Sequence, residues 1–195
     1  MATLVRSAIA VVVLTAVFGF AYPALMVGVA SVAAPGKSQG SLVHRDGRIV
    51  GSRLAAQSFT WPRYFHPRPS ATAPAYNAGA TTFANLGPTN PDLAKNVRDA
   101  AQAILKLERP YNPGLAIGEI PVDAVTTSGS GIDPHISPAN AALQSRRVAA
   151  IRHVPLATVQ ELVEENTDGR SWGILGEPGV NVLRLNLALD NLGKK

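Results

Sequence analysis

Polar and apolar positions along this chain fall into three regimes: one long apolar block, a stretch broken by Pro and Gly, and a periodic C-terminal half. From Ser7 to Gly36 no side chain ionises except Tyr22. The block Ala8 to Val32 exceeds the roughly 20 residues, at about 1.5 Å each, that cross a bilayer. It predicts one transmembrane helix, with Pro23 as a place for a kink. A cleaved secretory signal is the competing reading. Arg6 supplies a basic start, Ala8 to Phe20 an apolar centre, and Ser31-Val32-Ala33 a small-residue cleavage pattern. The apolar run continues through Leu25, Met26, Val27 and Val29, past a signal's about 7–15 apolar residues, and Tyr22-Pro23 interrupts it. The reading adopted is a retained anchor.

Beyond a Pro/Gly/Ser linker at 35–40, two short runs, Ser41 to Arg45 and Arg48 to Ser52, flank Asp46-Gly47, which predicts a hairpin. Phe59 to Pro69 (FTWPRYFHPRP) mixes aromatics, Pro and Arg and reads as an extended arm, neither helix nor central strand. Its aromatics either fill a core edge or, with Arg63 and Arg68, meet a partner. Thr81 to Asn90 is a loop ending in an N-cap. A helix then runs from Pro91 to about Glu108, with Leu93, Val97, Ala101, Ile104 and Leu107 on one face. Pro110 to Pro121 is a connection, and a covered strand is expected to end at Val125. Ser137-Pro138 opens a second helix to Ile151, with Ala142, Leu143, Ala149 and Ile151 inward and Arg146, Arg147 and Arg152 outward. A third spans Pro155 to Asn166. Alternation of Leu183, Leu185, Leu187 and Leu189 with polar or smaller residues predicts a half-buried strand over Asn181 to Asp190.

The fold expected is therefore α+β: a single N-terminal transmembrane helix followed by one mixed α/β soluble domain. Its parts are the N-terminus and anchor at 1–34, the linker at 35–40 and the domain at 41–195. With 195 residues there is length for one well-cored domain and something smaller. The net charge of +5 is scattered, without basic clusters interleaved with aromatics, which argues against nucleic-acid binding. The absence of Cys excludes disulfides, thiolate metal sites and Cys nucleophiles. Set against Arg6, the cations Lys37, Arg45, Arg48 and Arg53 favour a cytoplasmic C-terminal domain, although large domains translocate largely regardless of charge.

Chemistry concentrates in VDAVTTSGSGIDPHISP, Val122 to Pro138. A hydrolase would use Ser128 or Ser130 with Asp133 and His135, but no G-x-S-x-G elbow is present, and Asp133 and His135 straddle a proline. A metal held by Asp133, His135 and one of His44, His66 or His153 lacks ligand spacing, so no metal is assigned. The run Ser128, Gly129, Ser130, Gly131 is able to cradle an anion through backbone N–H groups, yet it lacks the Gly-Lys-Ser/Thr ending of a P-loop. In the plainest alternative, Ser and Thr satisfy consecutive turns and Asp133 caps the segment from Pro134 onward.

Several motifs together resemble the KdpC family, the subunit of the bacterial Kdp potassium-transporting P-type ATPase. They are Tyr22-Pro23 in the apolar block, Gly51 followed by Phe59, YFHPRPSA at Tyr64 to Ala71, Tyr76-Asn77-Ala78, NLGPTN at Asn85 to Asn90, DAVTTSGSGIDPHISP, Arg147-Val148-Ala149 and LGEPGVNVLRLNLALD at Leu175 to Asp190. The chain departs from the pattern at Ala80-Thr81-Thr82-Phe83-Ala84, where the family has a Gly/Ser-rich lead, and at Gly179, where a basic residue is common.

The resemblance implies a non-catalytic accessory subunit in the bacterial inner or plasma membrane, single-pass, with its C-terminal domain extracytoplasmic, against the charge count. Its implied partners are a channel-like potassium-binding subunit and a P-type ATP-hydrolysing subunit. The complex uses ATP, Mg2+ and K+; this chain has no cofactor of its own, and the family is described as raising the pump's ATP affinity. Partner-contacting or loop-bracing candidates are Tyr64, His66, Arg68, Asn85, Asn90, Thr126, Thr127, Ser128, Asp133 and His135. The rival from another class is a membrane-tethered hydrolase using Ser128, Asp133 and His135.

Overall fold

The computed structural model describes residues 1–192 and divides into two compact units, Met1–Val50 and Gly51 onward. In the first unit the apolar block forms a continuous helix, α1 (Ala2–Ala33), long and apolar enough to cross a membrane. None of its residues is buried. Between Thr15 and Ala21 it widens to a π register, Tyr22 N–H donating to Val17 O. Pro23 explains the slip, because it has no N–H and its ring crowds the carbonyl four residues back. A helical turn at Pro35–Ser38 comes next, then β1 (Leu42–Arg45) and β2 (Arg48–Ser52). Asp46 at φ 50° and Gly47 at φ 75° make the tight turn that the dipeptide predicts.

In the second unit the arm, Phe59 to Pro69, carries no helix or strand, as its prolines require. Next come α2 (Pro91–Glu108), β3 (His135–Ile136), α3 (Pro138–Arg152), α4 (Leu156–Glu165), β4 (Thr167–Asp168), β5 (Gly179–Asn181) and α5 (Val182–Leu192). Asn90 caps α2 by accepting from Asp92 N–H, and Ser137 caps α3 by accepting from Asn140 N–H. Of the predicted face of α2, Ala101 is buried and Leu93, Val97, Ile104 and Leu107 are half-buried, while Leu105 and Glu108, outside that face, are buried as well. The three short strands form one antiparallel sheet in the order β3-β5-β4. Its register sets His135 opposite Asn181 and Asp168 opposite Gly179.

Three expectations are corrected. The strand expected to end at Val125 is instead one helical turn, Val122–Val125. This turn aims Asp123 at the start of α3, where its carboxylate accepts from Ser137 N–H, Ser137 Oγ and Asn140 Nδ2. The strand expected over Asn181–Asp190 ends at Asn181 and continues as α5. Val182, Leu185, Asn186 and Leu189 recur at helical spacing and are the buried side, while the Leu alternation counts Leu187, which is only half-buried. Asn181 Oδ1 accepts from Arg184 N–H, so the residue that ends β5 also caps α5. On α3 two positions reverse the expectation, Ala142 being exposed and Arg147 fully buried, while Ala149 is buried and Arg146 exposed as expected.

Two hydrophobic clusters hold the unit. The larger gathers Phe65 from the arm, Ile136 from β3, Val148 from α3, Val159 from α4, Val180 from β5 and Leu185 and Leu189 from α5. The smaller joins Ala101 and Leu105 of α2 to Leu115, Ile120 and Ala124. Burying Phe65 drags the polar backbone of an irregular segment into the core, and its hydrogen bonds must then come from side chains.

Candidate functional site

The arm obtains those bonds from the helices. Asn186 of α5 acts as a surrogate strand: its Oδ1 accepts from Phe65 N–H at 2.9 Å and its Nδ2 donates to Phe65 O at 2.9 Å. Gln144 of α3 treats His66 in the same way, at 2.8 and 3.1 Å. Arg147 donates from Nη1 to the carbonyls of Pro62 and Tyr64, from Nη2 to Gln144 Oε1, and from Nε to Glu108 Oε1 at 2.7 Å. Glu108 Oε2 has no partner among the described residues. Burial therefore pushes its carboxyl pKa up, while Arg147 pulls the other way.

Tyr64 and His66 are themselves held in place. The Tyr64 hydroxyl donates to Asp190 Oδ2 at 3.0 Å, and the Arg152 guanidinium lies 4.9 Å above its ring while bonding Asp190 Oδ1. Burial, reinforced by the Arg147 charge and opposed by a bond to the Trp61 carbonyl, holds His66 below the usual imidazole range, which favours the neutral form.

The arm ends by gripping the central loop. Arg68 donates to Asp133 Oδ2 at 3.4 Å, Thr126 Oγ1 at 3.5 Å and Thr127 O at 3.2 Å. Carbonyls along the loop are taken in turn: Ser130 by Thr82 N–H, Gly131 by Ser70 Oγ, Ile132 by Ala56 N–H and Pro134 by Val182 N–H. Gly131 is necessary here, since its φ is +72° and a Cβ would stand 2.7 Å from both Thr72 Cγ2 and Thr82 O.

Past the loop, charges alternate across the sheet. Asp133 Oδ1 accepts from His135 N–H at 3.0 Å, and its carboxylate lies 3.7 Å from His135 Nδ1. His135 Nε2 meets Asp168 Oδ2 at 3.0 Å, and Asp168 Oδ1 accepts from Arg184 at 2.9 Å. Arg68, Asp133, His135, Asp168 and Arg184 thus form one chain. It crosses β5 at Gly179, where a Cβ would come within 3.1 Å of His135 Cβ. The imidazole packs directly on Gly179, so a side chain there would need the ring to give by a few tenths of an ångström.

These neighbours set the protonation of the cluster. Asp133 lifts the His135 pKa most, against burial, and Asp168 adds to it. Of the two carboxylates, Asp168 is the nearer and Asp133 the less exposed. Burial raises both acids' pKa, but for Asp133 the His135 bonds and Arg68 outweigh it, and for Asp168 the bonds from His135 and Arg184 do. Both carboxyls end below their ordinary range.

Of the other candidates, Asn85 at φ 52° lines a groove of about 300 Å3 with Thr126, Thr127, Ser128 and Gly129. Asn90 is taken up as a helix cap. Ser128 is 3% exposed and Ser130 Oγ accepts from Ile132 N–H; among the described residues neither serine has a hydrogen bond to Asp133 or His135. Nor do the described residues gather three groups able to hold a metal. Sequence reasoning missed Asp123, Glu108, Gln144, Asn186, Asp168 and Arg184. Asp168 lies 33 positions from His135, and no local spacing signals that meeting.

Comparison with known proteins bears on the whole chain. The family model KdpC, described as K+-transporting ATPase, c chain, matches residues 4–191. The Potassium-transporting ATPase KdpC subunit of Methylococcus capsulatus is 51% identical over 91% of this chain and 92% of its own length. Its counterpart from Sorangium cellulosum is 54% identical over the same shares, and that from Dechloromonas aromatica is 48% identical over the full length of both. A match that runs from α1 through α5, with relatives near half identical from end to end, places the chain in the KdpC family, the c chain of the K+-transporting ATPase.

Proposed function

We propose that this chain is the non-catalytic accessory subunit of an ATP-driven potassium uptake complex, in which it holds a channel-like subunit and a P-type pump subunit together. On this reading α1 is a retained anchor in the bacterial plasma membrane and the second unit is extracytoplasmic. The anchor uses small residues such as Gly19, Ala24 and Gly28 for close helix packing. The loop from Thr126 to Pro138 is the docking surface for the channel-like partner. The observation that carries this is the bracing of that loop: Arg68, Ser70, Thr82 and Asp123 hydrogen-bond it at four separate points. A surface already rigid loses little entropy on contact, so its binding energy is not spent on ordering.

Asp133→Ala and His135→Ala, made in the assembled complex, test the proposal. Docking predicts a reduced yield of complex and reduced K+-stimulated ATPase activity, with a loss of about 1–3 kcal/mol of assembly free energy where buried hydrogen bonds break. Normal assembly with a raised ATP requirement would assign the loop to nucleotide affinity instead. Turnover of an ester or phosphate by this chain alone, lost in Ser128→Ala, would establish the hydrolase alternative.

A further inference from the structure

Between β4 and β5 the chain projects a finger, Arg170 to Glu177, that neither core cluster uses. Ser171 N–H donates to Leu175 O at 2.8 Å and Ile174 N–H to Ser171 O, closing a tight turn at Trp172 and Gly173, with φ of 53° and 79°. Glycine suits that turn; a bulky aromatic does not, and Trp172 is held at positive φ against its own backbone preference. The outcome is a tip in which Trp172 is 90% exposed, Ile174 75% and Leu175 53%. Its only ionised groups sit at the base and neutralise each other, Arg170 Nη2 donating to both Glu177 oxygens at 2.9 and 2.8 Å. Apolar tip, neutral base and a leading Trp are the composition of a membrane–water interface.

We propose that this finger is a second membrane contact, inserting Trp172, Ile174 and Leu175 into the headgroup region of the bilayer. The inference rests on the reading of α1 as a retained anchor. Only eight residues, Ala34 to Ser41, separate α1 from β1, a reach of at most about 28 Å even when extended. Such a tether turns a weak lipid contact into an intramolecular one with a high effective concentration. A protein partner is less well suited: three side chains offer on the order of 400 Å2, about half of what one side of a stable interface covers.

The test uses the full chain, reconstituted in phosphatidylcholine vesicles, with Trp61→Phe leaving Trp172 as the sole tryptophan of the two. Brominated phosphatidylcholine should quench most of the Trp172 emission, the spectrum should be blue-shifted, and aqueous iodide should quench it little. Protein retained on the vesicles through alkaline washing, but with Trp172 open to iodide and blind to brominated lipid, would overturn this inference alone. So would shielding of Trp172 that arises only when the other transport subunits are co-reconstituted, because the finger would then meet protein. Loss of the chain from vesicles on washing would overturn the anchor reading and this inference with it.

Discussion

At the scale of single residues, His135 governs the candidate surface because it stands between two carboxylates that are each tied to an arginine. The shifts fix the sign of its pH dependence. A His whose folded pKa is raised above the ordinary 6.5 contributes stability that is complete below pH 6.5 and is lost as pH rises through the folded value. Asp133 and Asp168, held below the ordinary 3.8, contribute above that pH and lose their contribution as pH falls through their folded values. Urea denaturation of the full chain in detergent should therefore show the greatest contribution from this cluster between about pH 4 and 6.5. His135→Gln should flatten the alkaline slope and leave the slope from other groups in place. An unchanged slope would mean that the imidazole is not held by its two neighbours.

Among the elements, the arm and α5 depend on each other. A segment with Pro62, Pro67 and Pro69 cannot join a sheet ladder, yet Phe65 sits at the centre of the larger core cluster. Asn186 resolves the conflict by pairing both backbone groups of Phe65, which requires α5 to be a helix that turns Asn186 to the same side as Leu185 and Leu189. Asn186→Leu keeps the forked shape and the number of side-chain atoms, and raises the helix propensity, but leaves a buried N–H and C=O unpaired. It should cost about 2–4 kcal/mol of unfolding free energy in chemical denaturation, whereas an exposed change such as Asn191→Leu should cost almost nothing. Equal effects would show that the arm does not need the amide.

For the molecule as a whole, the pair Arg147–Glu108 joins the arm, α2 and α3 in the interior. Arg147→Met strands the Glu108 carboxylate and should destabilise by about 3–5 kcal/mol, while adding Glu108→Leu should restore part of it, since two charges leave together. Strict additivity of the two substitutions in chemical denaturation would count against the coupling. Such pairs mark where reading the chain alone reached its end. Local rules sufficed where the cause is local: a run without charges makes α1, Asp46-Gly47 makes its turn, Asn90-Pro91 and Ser137-Pro138 start α2 and α3, and prolines forbid regular structure in the arm. The motifs also carried the family, because they are spread across the chain. What depended on meeting distant residues stayed hidden. Arg147 reads as a solvated face until Glu108 and two arm carbonyls surround it, and the Leu alternation after Asn181 reads as a strand until Asn186 has a buried backbone to serve. Periodicity records which residues avoid water along one element; which polar groups are buried is decided by partners from other elements, 39 positions away for Arg147 and 121 for Asn186. Only the folded chain brings those partners within bonding distance.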